Sequence, residues 1–185
     1  AAAFNNYGLT LHELACYEEA FAIYTKAVTL NPSDAVVYNN YGLTLQKLAR
    51  NEEAFAIYTK AVTLNPTYSR AYYNCGATLA QLARNEEALV MSAKAVTLNP
   101  TFAVAYNNYG GTLYKLARYE EAFAIYTKAV TLNPSDAAAF NNYGLTLHEL
   151  ARYAEAVAMY MKAVTLNPAH VVAYGVAYKH YGDAL

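Results

Sequence analysis

Residues Glu18 to Pro32 read EEAFAIYTKAVTLNP, and the same fifteen letters return at Glu52 to Pro66 and at Glu120 to Pro134. The phrase that closes them, AVTLNP, occurs five times, and its prolines lie 34 residues apart at Pro32, Pro66, Pro100, Pro134 and Pro168. A period of this length indicates stacked supersecondary units, each of which needs a neighbour to bury its hydrophobic face. The fold and the functional surface must therefore both be sought in the stack.

Each unit is predicted to be a hairpin of two helices. In its first half, apolar residues recur at steps of three and four, which predicts one buried helix face. In the first unit these residues are Phe4, Tyr7, Leu11 and Leu14. The paired acids Glu18 and Glu19 suit the start of a second helix, and the Asn-Pro pair ends it because the residue before proline avoids the α region. Its predicted inward residues are Ala20, Ile23, Tyr24, Ala27, Val28 and Leu30. The hydroxyl residue after each of the first four prolines is a predicted N-cap for the next helix: Ser33, Thr67, Thr101 and Ser135.

A glycine recurs inside every predicted first helix, at Gly8, Gly42, Gly76, Gly110 and Gly144. Glycine at such a position costs about 1 kcal/mol relative to alanine. We expect close approach of the second helix to compensate for this cost. The matching small residue would be the alanine that recurs at Ala20, Ala54, Ala88, Ala122 and Ala156.

The spaced residues Phe4-x2-Tyr7-Gly8-x2-Leu11, then Ala20-x3-Tyr24, then Pro32, resemble the signature of the tetratricopeptide repeat. The resemblance extends from residue 1 to residue 168. It implies an all-α fold, a right-handed superhelical solenoid of antiparallel helix pairs, whose first helices line a concave groove that binds peptide segments of other proteins. The predicted repeats are 1–34, 35–68, 69–102, 103–136 and 137–168, followed by a C-terminal solvating helix at 169–185.

Asparagine is the most regular residue on the predicted groove side of the first helices. Position six of the unit holds Asn6, Asn40, Asn74, Asn108 and Asn142, and position five holds Asn5, Asn39, Asn107 and Asn141. A primary amide offers two donors and an acceptor, so a row of amides can hold the backbone of an extended peptide. The row resembles the asparagine ladder in the repeat domain of O-linked N-acetylglucosamine transferase. The alternative interpretation is that these side chains brace adjacent first helices.

Further residues expected to contact the peptide are Arg70, Tyr73 and Tyr114. Position nine is expected to form an apolar floor from Leu9, Leu43, Ala77, Gly111 and Leu145. The charges expected on this face are mixed, namely Glu13, Lys47, Arg70, Lys115 and Glu149.

Repeat three and the last seventeen residues depart from the pattern. In repeat three, Cys75 and Ser92 replace tyrosines found in the other repeats. The loss of aromatic volume predicts that the interior of this repeat is the least stable part of the array. At the end of the chain, the tyrosines Tyr174, Tyr178 and Tyr181 form an apolar stripe. Such a stripe favours an alternative function, a self-associating structural repeat module that dimerises through its terminal helix.

Composition argues against other function classes. The net charge of −1 gives no field that would attract nucleic acid, and no apolar run is long enough to span a membrane, so we expect neither as a partner. The pairs His12-Glu13 and His148-Glu149 have no accompanying nucleophile, so we predict no enzyme. We also expect no metal and no cofactor, since Cys16 and Cys75 lack metal-ligand spacing. Two free thiols fit a cytoplasmic, intracellular location.

Overall fold

The computed structural model describes residues 2–168, and every regular element in that range is an α-helix. The chain divides into two compact units, unit 1 (Ala1–Asn99) and unit 2 (Pro100–Leu185). The helices of unit 1 are α1 (Ala2–Glu13), α2 (Tyr17–Leu30), α3 (Ala35–Lys47), α4 (Asn51–Leu64), α5 (Ser69–Gln81) and α6 (Asn85–Leu98). Those of unit 2 are α7 (Ala103–Lys115), α8 (Tyr119–Leu132), α9 (Ala137–Glu149) and α10 (Tyr153–Leu166).

Within each unit the helices form a solenoid of paired helices. Each first helix packs on the second helix that follows it, and that second helix packs on the next first helix of the same unit. In α2 the residues Ala20, Tyr24 and Ala27 are fully buried, as the pattern predicts. Buried faces on both partners explain the pairing, since no single hairpin covers its own apolar surface. The all-helical, paired-helix prediction is therefore confirmed.

In four repeats the nearest neighbour of the recurring glycine is a tyrosine ring, and not the alanine that the sequence pattern predicted. A Cβ added to Gly42 would lie 2.5 Å from Cε1 of Tyr58, and one added to Gly8 would lie 2.8 Å from Cζ of Tyr24. Gly110 and Gly144 face Tyr126 and Tyr160 in the same way. The tyrosine side chain is long enough to reach from the second helix to the backbone of the first helix, which an alanine side chain is not. Glycine at this position leaves room for the ring.

Every first helix ends in a left-handed alanine. Ala49 has a φ of 58°, and its N–H donates to the Gln46 carbonyl at 3.0 Å while the Arg50 N–H donates to the Leu45 carbonyl at 2.9 Å. These two bonds form the Schellman motif that stops a helix. Arg50 then precedes α4 and donates two 2.6 Å bonds to the Glu53 carboxylate. The alanines in this conformation are Ala15, Ala49, Ala83, Ala117 and Ala151.

The predicted N-caps are wrong by one residue. Asp34 is the cap of α3, and its Oδ1 accepts from the N–H groups of Val36 and Val37 at 3.0 and 3.3 Å. The Ser33 hydroxyl instead donates to Asn31 Oδ1 at 2.9 Å, in a turn made by the asparagine before the proline. Tyr68 and Phe102 occupy the same cap position before α5 and α7 without a side-chain cap bond.

Three residues of the first repeat that were predicted to be buried are exposed. Tyr7 is 54% exposed, Leu14 67% and Leu30 62%. Tyr7 lies at the position of Tyr41, which contacts Thr25 and Phe21 of the preceding second helix, α2. Leu14 follows the last residue of α1. The predicted terminal helix, with Tyr174, Tyr178 and Tyr181, lies outside the described residues.

Candidate functional site

Four asparagine side chains in unit 1 form a chain of hydrogen bonds across three first helices. Asn74 Nδ2 donates to Asn39 Oδ1 at 2.8 Å, and Asn39 Nδ2 donates to Asn40 Oδ1 at 3.4 Å. Asn40 Nδ2 in turn donates to Asn5 Oδ1 at 3.1 Å. Packing of the hairpins brings position six of one first helix beside position five of the preceding one, so these bonds tie α1, α3 and α5 together. Bracing, the alternative interpretation of the row, is thus present in the structure.

Unit 2 contains a shorter chain of the same kind. Asn141 Nδ2 donates to Asn142 Oδ1 at 3.5 Å, and Asn142 Nδ2 donates to Asn107 Oδ1 at 3.1 Å. Asn108 differs from the asparagines in these chains because its Nδ2 is shielded from solvent and has no hydrogen-bond partner among residues 2–168.

A second row of polar contacts runs beside the asparagines in unit 1. His12 Nδ1 lies 3.0 Å from Thr44 Oγ1, and Gln46 Nε2 donates to Thr78 Oγ1 at 2.8 Å. Gln46 also accepts from the hydroxyl of buried Tyr58 at 2.7 Å. Burial and the nearby Lys47 ammonium lower the pKa of His12, which favours the neutral ring near pH 7. Position twelve therefore links neighbouring first helices, and His12 has a packing role in this row.

A cleft of about 420 Å³ opens in unit 1 between α3 and α5. Its floor is aliphatic, from Leu43 and Ala77, and its rim carries one cation, Lys47. Lys47 forms no salt bridge with any described residue. The remaining lining residues are Gln46, Tyr73, Asn74 and Gln81. We call this the unit 1 cleft.

A cleft of about 290 Å³ occupies the same position in unit 2, between α7 and α9. Gly111 lies at position nine, where the first, second and fifth repeats have leucine. Near this cleft the Tyr114 hydroxyl donates to Glu149 Oε1 at 3.2 Å. Burial, and after it the Glu149 carboxylate, raises the pKa of Tyr114, so the hydroxyl remains a donor at neutral pH. The lining residues are Gly111, Tyr114, Lys115, Tyr126, Asn142 and Leu145, which we call the unit 2 cleft.

The predicted peptide-contacting residues differ widely in exposure. Asn39 and Asn74 are 1% and 5% exposed, since they form the centre of the amide chain. Asn6 and Arg70 are exposed. The residues of intermediate exposure are Asn5, Asn40, Tyr73, Asn107, Asn108, Tyr114, Asn141 and Asn142. The clefts bring together Tyr73 with Asn74, and Tyr114 with Asn142.

The sequence prediction missed three residues that line the clefts. Gln46 and Gln81 occupy positions twelve and thirteen, which change type from repeat to repeat, so no periodic signal marks them. Tyr126 belongs to a second helix, and it reaches the unit 2 cleft because Gly110 and Gly111 leave room beside its ring. The adjacent glycines Gly110 and Gly111 inside a predicted helix are the sequence signal that could have indicated this cleft.

Other kinds of site find no support among residues 2–168. That range contains no group of three histidine, cysteine, aspartate or glutamate side chains placed to hold a metal ion. Both cysteines in it are unpaired thiols, and Cys75 is buried. None of the helices described is long and apolar enough to span a membrane.

Comparison with known proteins identifies the repeats. Family models described as tetratricopeptide repeat match residues 101–169, residues 23–56, and residues 1–34 with 69–102. No curated protein matches the chain in sequence.

Several solved structures share the fold. The crystal structure of YrrB, described as a tetratricopeptide repeat protein with an unusual peptide-binding site, has a TM-score of 0.78 and 26% identity over 94% of this chain and 89% of that one. A crystal structure of MamA has a TM-score of 0.79 and 22% identity over 90% and 91% of the two chains. MamA from Desulfovibrio magneticus RS-1 has a TM-score of 0.81 and 21% identity over 91% and 96%. The matched repeat models together cover most of the chain, which therefore belongs to the tetratricopeptide repeat family.

Proposed function

We propose that this protein is an interaction scaffold that holds an extended peptide of a partner protein along the clefts between its first helices. The observation that carries the proposal is the recurrence of the cleft. In each unit an aliphatic floor opens between neighbouring first helices, directly beside a position-six asparagine. Concave, largely apolar sites with a few fixed polar groups are the usual form of a binding site. YrrB, which shares the fold, is described as having a peptide-binding site, and this supports a peptide as the kind of ligand.

In this proposal the asparagines have two roles. Each Nδ2 carries two hydrogens, and the brace uses one of them. The second hydrogen of Asn40 or Asn142, both partly exposed, is available for a peptide carbonyl. Asn39 and Asn74 would mainly hold the spacing of the helices, because both are almost completely buried. The similarity of this row to the asparagine ladder of O-linked N-acetylglucosamine transferase also remains a prediction.

Gly111 gives independent support for a binding role of the unit 2 cleft. A Cβ added to Gly111 would meet only the Tyr126 hydroxyl, at 3.5 Å, which is an ordinary contact. Packing therefore does not require glycine here, in contrast to Gly110, whose added Cβ would lie 2.8 Å from the Tyr126 ring. A mid-helix glycine costs about 1 kcal/mol relative to alanine. Keeping the cleft open is a role that would offset this cost.

The test is a selection of binding peptides from a random twelve-residue phage-displayed library, followed by affinity measurements on cleft variants. Ala77→Phe fills the floor of the unit 1 cleft, and Gly111→Leu fills that of the unit 2 cleft. We expect at least a tenfold loss of affinity from one or both changes. Gly111→Leu is the sharper variant because it should preserve or raise helix stability while it closes the site.

The matched control is Ala56→Phe, which adds the same ring to the exposed side of α4. It should leave the affinity unchanged. Selected peptides that bind Ala77→Phe and Gly111→Leu as tightly as the parent protein, or that lose affinity only with Ala56→Phe, would rule out the clefts as the binding site.

A further inference from the structure

Two first helices of this protein have the same sequence and different surroundings. Residues 1–15 and residues 137–151 both read AAAFNNYGLTLHELA, so α1 and α9 are built from the same letters. The helix before α9, α8, reads YEEAFAIYTKAVTL and packs against it. A side chain that differs in exposure between α1 and α9 must owe the difference to its surroundings.

In unit 2, α8 offers Tyr143 three specific contacts. The Tyr143 hydroxyl lies 2.9 Å from Thr127 Oγ1, and its ring centroid lies 5.5 Å from that of Phe123 and 6.4 Å from that of Tyr126. Unit 1 repeats this arrangement, with Tyr41 3.2 Å from Thr25 Oγ1 and 5.5 Å from the ring of Phe21. The phenylalanine, tyrosine and threonine of a second helix thus form a socket for the tyrosine at position seven.

The same face of α1 is open. Tyr7 is 54% exposed, and Ala3 and Thr10 are exposed where their counterparts Ala139 and Thr146 are fully buried. Asn6 is also exposed, whereas its counterpart Asn142 donates to an asparagine of the preceding first helix. Four side chains of one helix face are thus uncovered in α1 and covered in α9.

We propose that this face of α1 is a docking surface for a helical hairpin of the same type. The partner carries asparagine at position five of its first helix and the spacing Phe-x2-Tyr-Thr in its second helix. The identity of α1 and α9 supports this choice, since an identical surface presents identical complementarity. An apolar partner without these groups would leave the Tyr7 hydroxyl and the Asn6 amide without the bonds that Tyr143 and Asn142 make. The surface is separate from the two clefts.

The experiment joins a copy of residues 103–136 directly before Ala1 of the full chain. Residue 136 of the copy is then followed by the same fifteen residues that follow it in the parent chain, so the junction reproduces the one between α8 and α9. We expect the thermal midpoint to rise by roughly 5 °C or more. Tyr7→Ala should then lower the midpoint by roughly 6 °C or more in the extended chain, and by under about 2 °C in the parent.

A gentler pair of variants tests the socket itself. In the extended chain, Tyr7→Phe and Thr127→Val of the added copy should each lower the midpoint, and the two together should lower it no more than one alone, because both remove the same hydrogen bond. Tyr7 variants with equally small effects in both chains would overturn the proposal. A concentration-dependent dimer of the parent that Tyr7→Ala abolishes would also overturn it. In a second copy, the threonines of this spacing at Thr25 and Thr127 already contact Tyr41 and Tyr143, so the copy would have to occupy the face through other groups.

Discussion

The second and third hairpins of unit 1 solve the same packing problem with different side chains. In the second, α3 and α4 close on the ring of Tyr58, which lies against Gly42 and bonds Gln46. In the third, α5 and α6 close on Ser92, whose Oγ is shielded from solvent and has no hydrogen-bond partner in the described part of the chain. Cys75 also stands where the second hairpin has Tyr41.

The comparison shows that one sequence signal can have two structural causes. Gly42 is required by an aromatic ring, whereas Gly76 lies near the Ser92 hydroxyl and the Ala88 carbonyl oxygen. Partly buried Met91 packs against the buried cluster that contains Cys75. The lower stability of repeat three remains a prediction. The following changes test how far the two hairpins differ.

The largest difference in the free energy of unfolding should come from the position that holds Tyr58 in the second hairpin and Ser92 in the third. Tyr58→Ser, which copies the third hairpin into the second, should lower the free energy of unfolding by about 3–5 kcal/mol. Ser92→Ala should change it by less than about 1 kcal/mol, in the stabilising direction, because it removes a buried hydroxyl without a partner. Urea denaturation of both variants provides the values. Similar losses in the two hairpins would contradict the comparison.

The second-largest difference in stability should come from replacing the glycine of each hairpin, Gly42 or Gly76. Gly42→Ala forces a methyl group into the ring of Tyr58, which is fully buried, and should destabilise by about 2 kcal/mol or more. Gly76→Ala meets a side-chain hydroxyl that can rotate, and the gain in helix propensity of about 1 kcal/mol offsets much of the remaining strain. Thermal melts of the two variants side by side measure the gap. Equal thermal midpoints would show that the tyrosine ring is not the reason that glycine is required at position 42.

Thiol chemistry gives a third contrast, within the third hairpin. Burial raises the pKa of Cys75 to about 11, and the thiolate is the reactive form. At pH 8 Cys75 should therefore react with a disulfide reagent at least about tenfold more slowly than Cys16, which is partly exposed. Its rate should increase as the pH rises toward 11 and as mild urea opens the repeat. Equal rates for the two thiols in the native protein would mean that the third hairpin opens freely.

The smallest effect should be the same in both hairpins. Ala49 and Ala83 have φ angles of 58° and 59°, a conformation that glycine adopts without the steric cost alanine bears. Ala49→Gly and Ala83→Gly should each raise the free energy of unfolding by about 0.5 kcal/mol, after the greater entropy of glycine in the unfolded chain is subtracted. Differential scanning calorimetry can resolve the matching shifts. A fall in either midpoint would mean that the alanine methyl groups contribute packing that outweighs the strain.

Much of the fold follows from the sequence because the period fixes it. The phrase AVTLNP sets the unit, and the spacing of Ala20, Tyr24 and Ala27 sets the buried face of a second helix. Contacts across helices are harder to predict, since they depend on the offset between neighbours. For this reason the sequence did not reveal that Asn74 donates to Asn39, or that Tyr58 and not Ala54 faces Gly42.

The clefts were predictable only in part. The aliphatic residues at position nine gave an expected floor, and Leu43, Ala77, Gly111 and Leu145 do line the clefts. The asparagine row was predicted as a ligand surface, and the bonds between its amides are a feature that the repeat pattern alone cannot distinguish from ligand contact. Whether the exposed amides also hold a peptide stays a prediction.

The most direct test of the proposed function is an NMR titration of the labelled protein with a selected library peptide, which follows the side-chain NH₂ signals of asparagine and glutamine. The account predicts that Asn40, Asn142 and the cleft glutamines Gln46 and Gln81 shift together as the peptide saturates the protein, while backbone signals of the outer residues Thr59 and Thr63 stay in place. Saturation with shifts confined to those outer threonines, and none at the four amides, would contradict it.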